Sequence, residues 1–134
     1  MLSDDEKLAA ARRFARATRS GDVDAYAAGA EQDSLVWHSY DETEASVDRT
    51  AKTLRWIHTA APDVTWTDVA VVATANGFVW QAKINGTVPA GAFSAHTCMV
   101  VTLSSRGLVA RTEEYIDPAA LAILRTDVKG TREQ

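Results

Sequence analysis

The change from helical to strand periodicity lies within residues 46–84, SVDRTAKTLRWIHTAAPDVTWTDVAVVATANGFVWQAKI. Ser46 can cap a helix whose apolar residues recur at helical spacing, and Pro62 ends it. Beyond Pro62 the apolar residues alternate as in a strand, with a phase slip near Asp68 that predicts a β-bulge. Asn76-Gly77 is a hairpin signal that leads into the next strand. This stretch predicts a long helix followed by antiparallel strands.

The flanking sequence extends this order in both directions. Ser3 and Glu6 form a capping box at the start of a helix that Gly21 can end. The other face of that helix carries four arginines, which we interpret as solvated: Arg12, Arg13, Arg16 and Arg19. The further expected elements are a short helix from Val23 to about Gly29, strands Leu35–Ser39, Phe78–Ile84, Phe93–Leu103 and Leu108–Ile116, and a final helix from Ala119 to about Thr126.

Helices and strands are therefore segregated along the chain, which predicts an α+β fold with an antiparallel sheet. A strongly bent sheet with helices against one face would enclose a cone-shaped pocket. The length of 134 residues predicts a single domain over residues 1–134, with residues 129–134 as a frayed tail.

Charge and cysteine content narrow the function classes. The net charge of −4 opposes nucleic acid or anionic membrane as partners, because both present negative fields. Cys98 is the only cysteine, so neither an internal disulfide nor a Cys-rich zinc site can form. No apolar run approaches the roughly 20 residues that span a bilayer. We expect a cytoplasmic protein that binds no nucleic acid and no membrane.

Three segments carry a resemblance to a known family: Gly21–Asp24, Val36–His38 and Glu113–Leu121. With the element order, they resemble the SnoaL-like branch of the nuclear transport factor two-like superfamily, to which ketosteroid isomerases and polyketide cyclases belong. The resemblance covers about residues 8–124. It implies a cone-shaped, barrel-like fold in which a bent antiparallel (mixed) sheet wraps around three N-terminal helices, with a short C-terminal helix.

The resemblance also implies which residues face the pocket. Matched from Gly21 without gaps, His38 takes the position at which ketosteroid isomerases carry their general base. Phe14 and Met99 fall where those enzymes carry the two oxyanion donors, so this pocket suits a hydrophobic ligand. Imidazole titrates near neutrality and can take and return a proton. His38 could instead bond a neighbouring loop through Tyr40 or Asp41.

On the last strand, alternation separates Arg111, Glu113 and Tyr115 from their neighbours. The resemblance places these three on the cavity side, where Glu113 could orient His38 or act as the acid and Arg111 could hold a developing enolate. The alternative is an Arg111–Glu113 pair on a wetted surface.

Further candidates for ligand contacts are aromatic residues and a second histidine: Tyr26, Trp56, Trp80 and His96. Trp80 is the best aromatic candidate. The phase of His96 with Cys98 and Val100 directs it away from the pocket, although a one-residue register error would reverse this. Dehydratases of the superfamily use a histidine on this strand. The three histidines match no zinc spacing and no phosphate loop is present, so we expect neither metal nor cofactor.

Two functions remain open. The first is a cofactor-independent lyase, isomerase or cyclase that acts by proton transfer on a small hydrophobic carbonyl or hydroxyl compound. The second is a non-catalytic module of the same fold that binds a small ligand or a partner. We expect a homodimer through the outer sheet face, to which we assign Leu108, Ala110 and Ile116.

Overall fold

The computed structural model describes residues 1–124, which form one curved sheet with helices on its inner face. The helices are α1 (Asp4–Ser20), α2 (Val23–Ala28) and α3 (Val47–Ala60). The strands are β1 (Ala30–His38), β2 (Glu44–Ser46), β3 (Thr65–Ala73), β4 (Gly77–Val88), β5 (Gly91–Leu103) and β6 (Val109–Ile116). A 3₁₀ turn follows at Pro118–Leu121. No helix within these residues is long and apolar enough to cross a membrane.

The sheet is mixed and has six strands in the order β2-β1-β6-β5-β4-β3. β1 pairs with β6 in parallel, and every other neighbouring pair is antiparallel. The first strand of the chain therefore lies beside the last one, in the middle of the sheet. This confirms the predicted α+β class and brings the end of β1 next to the end of β6.

Local sequence signals set the helix ends as predicted. Ser3 and Glu6 form the capping box of α1, and Gly21 ends that helix with a left-handed φ of 70°. Asp22 and Ser46 cap α2 and α3 with their side chains. Because each cap uses groups within three residues of the helix end, the limits of all three helices follow from the sequence alone.

The core lies between α1 and the inner face of the sheet. Phe14 packs edge-on against Phe78 and Trp80, with ring centroids 5.8 and 5.9 Å away. Trp80 is 1% exposed, and its indole N–H donates to Asp68 Oδ1 at 2.7 Å. The predicted bulge is confirmed, since the β3–β4 register shifts between Asp68 and Ala70. Asp68 is also the ion-pair partner of Arg19 on α1, so the bulge is tied to both the core and a helix.

Three expected boundaries differ in the structure. β4 continues through Asn85-Gly86 to Val88, past its expected end at Ile84. Gly86 pairs with Phe93, and a Cβ there would lie 2.6 Å from Phe93 Cζ. This glycine thus makes room for a ring within a strand and does not form a turn. β1 begins at Ala30, earlier than expected, and β2 is a short strand that we had not predicted.

The C-terminal prediction is only partly within the described residues. The chain after Asp117 starts as a 3₁₀ turn, whose first free N–H, that of Ala119, is capped by Asp117. The expected final helix extends to about residue 126, so its last two residues and the tail at 129–134 lie outside the described residues.

Candidate functional site

A cavity of about 90 Å³ lies between the three helices and the inner face of β1, β5 and β6. Phe14, Leu54 and Met99 contribute apolar walls. The polar groups that line it include His38, Glu114, Thr112 and Tyr26. These come from β1, β6 and α2, so the cavity collects side chains from distant parts of the sequence.

His38 and Glu114 form the central pair of this cavity. They are register partners on the parallel strands β1 and β6, so both side chains point to the same face. His38 Nε2 lies 3.6 Å from Glu114 Oε1, and the two side chains are only 19% and 21% exposed. Thr97 donates its hydroxyl to Glu114 Oε2 at 3.3 Å. Imidazole and carboxylate are thus close enough to share a proton after a small movement.

Burial determines the protonation of Glu114. Desolvation raises the pKa of this carboxyl, while the neighbouring His38 and the hydrogen bond from Thr97 act in the opposite direction. The net result is a pKa above the ordinary glutamate value. Glu114 therefore releases its proton at a higher pH than an exposed glutamate does, and carboxyl groups with such shifts concentrate at functional sites.

The loop after β1 fixes the backbone of His38. The His38 N–H donates to the Thr43 carbonyl at 3.1 Å, and its carbonyl accepts from the Glu42 N–H at 2.9 Å. Asp41 accepts from both the backbone N–H and the hydroxyl of Thr43, and these bonds lower the pKa of its carboxyl. The His38 ring lies 5.4 Å from the Tyr40 ring. The ring thus contacts the loop on one side and Glu114 on the other, so parts of both sequence interpretations are present.

Two hydroxyl groups of the cavity lack a hydrogen-bond partner among residues 1–124. Thr112 is 2% exposed, and its Oγ1 is buried without a partner. The half-buried Tyr26 forms no side-chain hydrogen bond in the same part of the chain. Burial and the nearby Glu114 raise the pKa of the Tyr26 phenol, so it stays protonated and can donate. Both hydroxyls are free to bind an oxygen of a ligand.

The two hydroxyls lie in the same cavity as the apolar residues at the expected donor positions. Phe14 and Met99 line the cavity, as predicted, and neither can donate a hydrogen bond. Tyr26 was predicted as a ligand contact and also lines the cavity. Thr112 was missed, because a threonine in a strand carries no sequence signal that separates it from other strand threonines.

The predicted cavity face of β6 is wrong. Arg111 forms an ion pair with Glu44 of β2 on the outer side of the sheet. Tyr115 is 45% exposed and packs edge-on against Trp37, with ring centroids 5.5 Å apart. Glu113 alternates with Thr112 and Glu114 and therefore also faces outward.

A β-bulge in β6 explains this reversal. Leu103 pairs with Val109 whereas Thr102 pairs with Arg111, so Ala110 is an extra residue in β6. Val109 is buried in the core. Beyond the bulge the alternation changes phase, and the next inward residue is Thr112, not Arg111. Glu114 therefore lies at the cavity position that we had predicted for Glu113.

Three further predicted contacts do not line the cavity. Trp80 belongs to the core, and Trp56 is half-buried against the core from α3. His96 is exposed on the outer sheet face, beside Cys98 and Tyr115, as its phase had indicated. Within residues 1–124, no three His, Cys, Asp or Glu side chains converge in a way that could hold a metal ion.

Comparison with known proteins gives structural but no sequence matches. No protein-family profile and no curated protein matches this chain. PrhC from Penicillium brasilianum superposes with a TM-score of 0.83 at 14% identity, covering 96% of this chain and 91% of that one. A putative SnoaL-like polyketide cyclase from Jannaschia sp. gives 0.76 at 12% identity, over 89% and 90% of the two chains. An LEH-like epoxide hydrolase from M. tuberculosis gives 0.72 at 16% identity, over 98% of both. With a six-stranded mixed sheet curved around its helices, the chain shares the fold of these structures, the putative SnoaL-like polyketide cyclase among them.

Proposed function

We propose that this chain is a cofactor-free acid–base enzyme, an isomerase, lyase or cyclase, that moves a proton on a hydrophobic carbonyl or hydroxyl compound. The observation that carries this proposal is the His38–Glu114 pair, 3.6 Å apart inside the cavity. Burying a carboxyl group lowers the stability of the fold, and titratable groups with shifted pKa values concentrate at functional sites. A carboxyl and an imidazole that converge in the wall of a cavity match a proton-transfer role.

In this proposal His38 is the base. Its Nε2 takes a proton from the carbon next to a carbonyl group, and the electron pair of the broken C–H bond moves to the carbonyl oxygen to form an enolate. Glu114, as carboxylate, stabilises the imidazolium that results. Tyr26 and Thr112 supply hydroxyl donors for the enolate oxygen. His38 then returns the proton, either to the γ-carbon of a substrate whose β,γ double bond is conjugated with the enolate, which is isomerisation, or to a departing β-hydroxyl, which leaves as water.

The size of the cavity limits what reacts inside it. Its volume of about 90 Å³ compares with roughly 300–1,000 Å³ for pockets that enclose drug-sized ligands. Only a few heavy atoms fit, so the reacting part of the substrate is compact. The same small volume favours the second candidate, a binding module without catalysis. The similar folds named as an epoxide hydrolase and a putative polyketide cyclase support the enzymatic alternative.

The proposal includes a cytoplasmic homodimer. The outer sheet face carries apolar side chains from neighbouring strands, among them Leu35, Trp37, Val100 and Tyr115. Leu35 and Tyr115 are 38% and 45% exposed. Two residues that we had assigned to that face lie elsewhere. Ile116 packs against the core, and Leu108 lines a cavity on the helix side of the sheet. A second copy would cover the apolar outer face.

Proton exchange at a ketone tests the proposal without knowledge of the natural substrate. Cyclopentanone and cyclohexanone are incubated with the protein in D₂O, and loss of the α-proton signals is followed by NMR. We expect the wild type to accelerate exchange over buffer. In His38→Gln the accelerated exchange rate should fall on the order of 10²–10⁴-fold, which is the usual contribution of a positioned base. Glu113→Gln, which changes the outward-facing neighbour of Glu114, is the matched control and should exchange like the wild type.

The opposite result identifies the binding module. If the ketones shift the His38 ring resonances but the wild type does not accelerate exchange, the cavity binds without catalysis. Equal exchange rates for the wild type and His38→Gln would contradict the assigned base.

A further inference from the structure

A second and larger cavity adjoins the one that holds His38. It is an open groove of about 370 Å³ between α1, α2 and the turn before β6. Among residues 1–124, Phe14 and Tyr26 are the only ones that line both cavities. Their rings are in contact, with centroids 5.7 Å apart. The inner cavity and the outer groove are thus separated by two aromatic side chains.

The charges around the outer groove are predominantly positive. Arg13 and Arg16 are exposed, lie one helical turn apart on α1 and line the groove. Neither forms a side-chain hydrogen bond or ion pair within residues 1–124, whereas Arg19 on the same helix binds Asp68. The groove has one carboxylate, that of Asp22, and its Oδ1 accepts the Ala25 N–H as the cap of α2. Two unpaired guanidinium groups therefore face the groove.

The floor of the groove is apolar. Ala10, Ala17, Leu108 and Val109 contribute to it together with the two shared aromatic rings. Binding is favourable when the hydrocarbon part of a ligand covers such an apolar surface. The guanidinium groups at its edge attract a carboxylate. The groove combines the two features that an amphipathic, singly charged molecule needs.

We propose that the outer groove binds the aliphatic body and the terminal carboxylate of the same molecule whose reacting group enters the inner cavity. This inference rests on the proposed function and names the substrate class, an aliphatic carboxylate with a carbonyl or hydroxyl group at a distance from the carboxylate. Arg13 and Arg16 hold the carboxylate. Binding energy from this remote part of the substrate then positions the reacting atoms beside His38.

Tyr26 is the movable part of the partition. Phe14 is held on its far side by Phe78 and Trp80. Tyr26 belongs to α2, a helix of six residues none of which is fully buried. Because its hydroxyl has no hydrogen-bond partner among residues 1–124, rotation of this side chain breaks no such bond there. A ligand in the groove can therefore reach the inner cavity when the Tyr26 ring rotates aside, and Thr112 is the hydroxyl donor that stays in place in that state.

The test compares a charged probe with a neutral one of the same length. Octanoate and 1-octanol are titrated into the full chain, and NMR follows the His38 ring and the backbone signals of the groove. We expect octanoate to shift both sets of signals. In Arg13→Gln/Arg16→Gln its affinity should fall about tenfold, since two charge-assisted contacts at a partly exposed site are lost. The affinity for 1-octanol should stay within about twofold. Arg12→Gln is the control, because Arg12 is an exposed arginine of α1 that does not line the groove.

Two results would overturn the inference. One is unchanged octanoate affinity in the double variant. The other is an octanoate shift of the groove signals that never reaches the His38 ring. Failure of the proposed function can be told apart from failure of this inference. If ketone exchange is absent while octanoate binding depends on both arginines and shifts the His38 ring signals, the groove binds carboxylates and the catalytic role is refuted. If ketone exchange is present and octanoate does not bind, only the carboxylate-binding role of the groove is refuted.

Discussion

Replacing Glu114 by glutamine should stabilise the protein at neutral and alkaline pH. The side chain is 21% exposed, and burial raises the pKa of its carboxyl above the ordinary value in spite of His38 and Thr97. At neutral pH the folded state must therefore hold a poorly solvated charge or keep a proton that bulk solution would remove. Glutamine keeps the shape of the side chain and removes this cost.

The size of the effect follows from proton linkage. In the unfolded chain a glutamate titrates near pH 4.3. Above that pH the folded state retains a proton that the unfolded state has released, so the free energy of unfolding falls as pH rises, by at most about 1.4 kcal/mol per pH unit. The fall ends where the pH passes the raised pKa of Glu114. Full stability is thus present below about pH 4.3, and Glu114→Gln lacks this decrease.

The assay is urea unfolding of the wild type and Glu114→Gln at pH steps from 4 to 9. The difference between the two free energies of unfolding should grow in favour of the variant and then level off at the folded pKa of Glu114. Glu113→Gln, which introduces the same amide on the outer face of the same strand, controls for the change in composition. A difference that is independent of pH would refute the reasoning. A difference of opposite sign would mean that His38 and Thr97 outweigh burial.

Three further changes test other parts of the structure. Thr112→Val removes a buried hydroxyl without a partner in residues 1–124 and should raise the free energy of unfolding in urea by about 1–2 kcal/mol; a loss of that size would show that the hydroxyl is satisfied in solution. Gly86→Ala places a Cβ 2.6 Å from Phe93 Cζ and should cost about 1–3 kcal/mol in thermal unfolding, whereas an unchanged Tm would mean that the ring yields freely. Tyr115→Glu puts a charge on the proposed dimer face and should convert a dimer into a monomer in sedimentation velocity; a variant that stays dimeric would move the interface elsewhere.

Features determined by neighbouring residues could be predicted from the sequence. The capping box of Ser3 and Glu6 and the cap at Ser46 fix helix ends through bonds to backbone groups three residues away. The bulge near Asp68 could be predicted because the alternation of apolar and polar residues breaks there. His38 was found because its position matched that of a known base.

Features determined by strand pairing were missed. β2 has three residues and only a partner strand defines it. The bulge at Ala110 leaves no break in alternation, because the residues around it mix small, polar and apolar types. A strand pattern with both faces partly polar fixes its register weakly, and one extra residue reverses every later side chain. The choice between Glu113 and Glu114 therefore depended on information that two other strands contain.

The bulge at Ala110 allows β6 to place one side chain in the core and another in the cavity. Val109 and Glu114 are an odd number of residues apart, so an unbulged strand would direct them to opposite faces. With Ala110 inserted, Val109 packs in the core and Glu114 faces the cavity beside His38, its parallel partner on β1. Once β1 and β6 are known to pair in register, an inward His38 requires an inward Glu114. The His38–Glu114 pair is thus a consequence of the parallel contact between strands that lie more than 70 residues apart in the sequence.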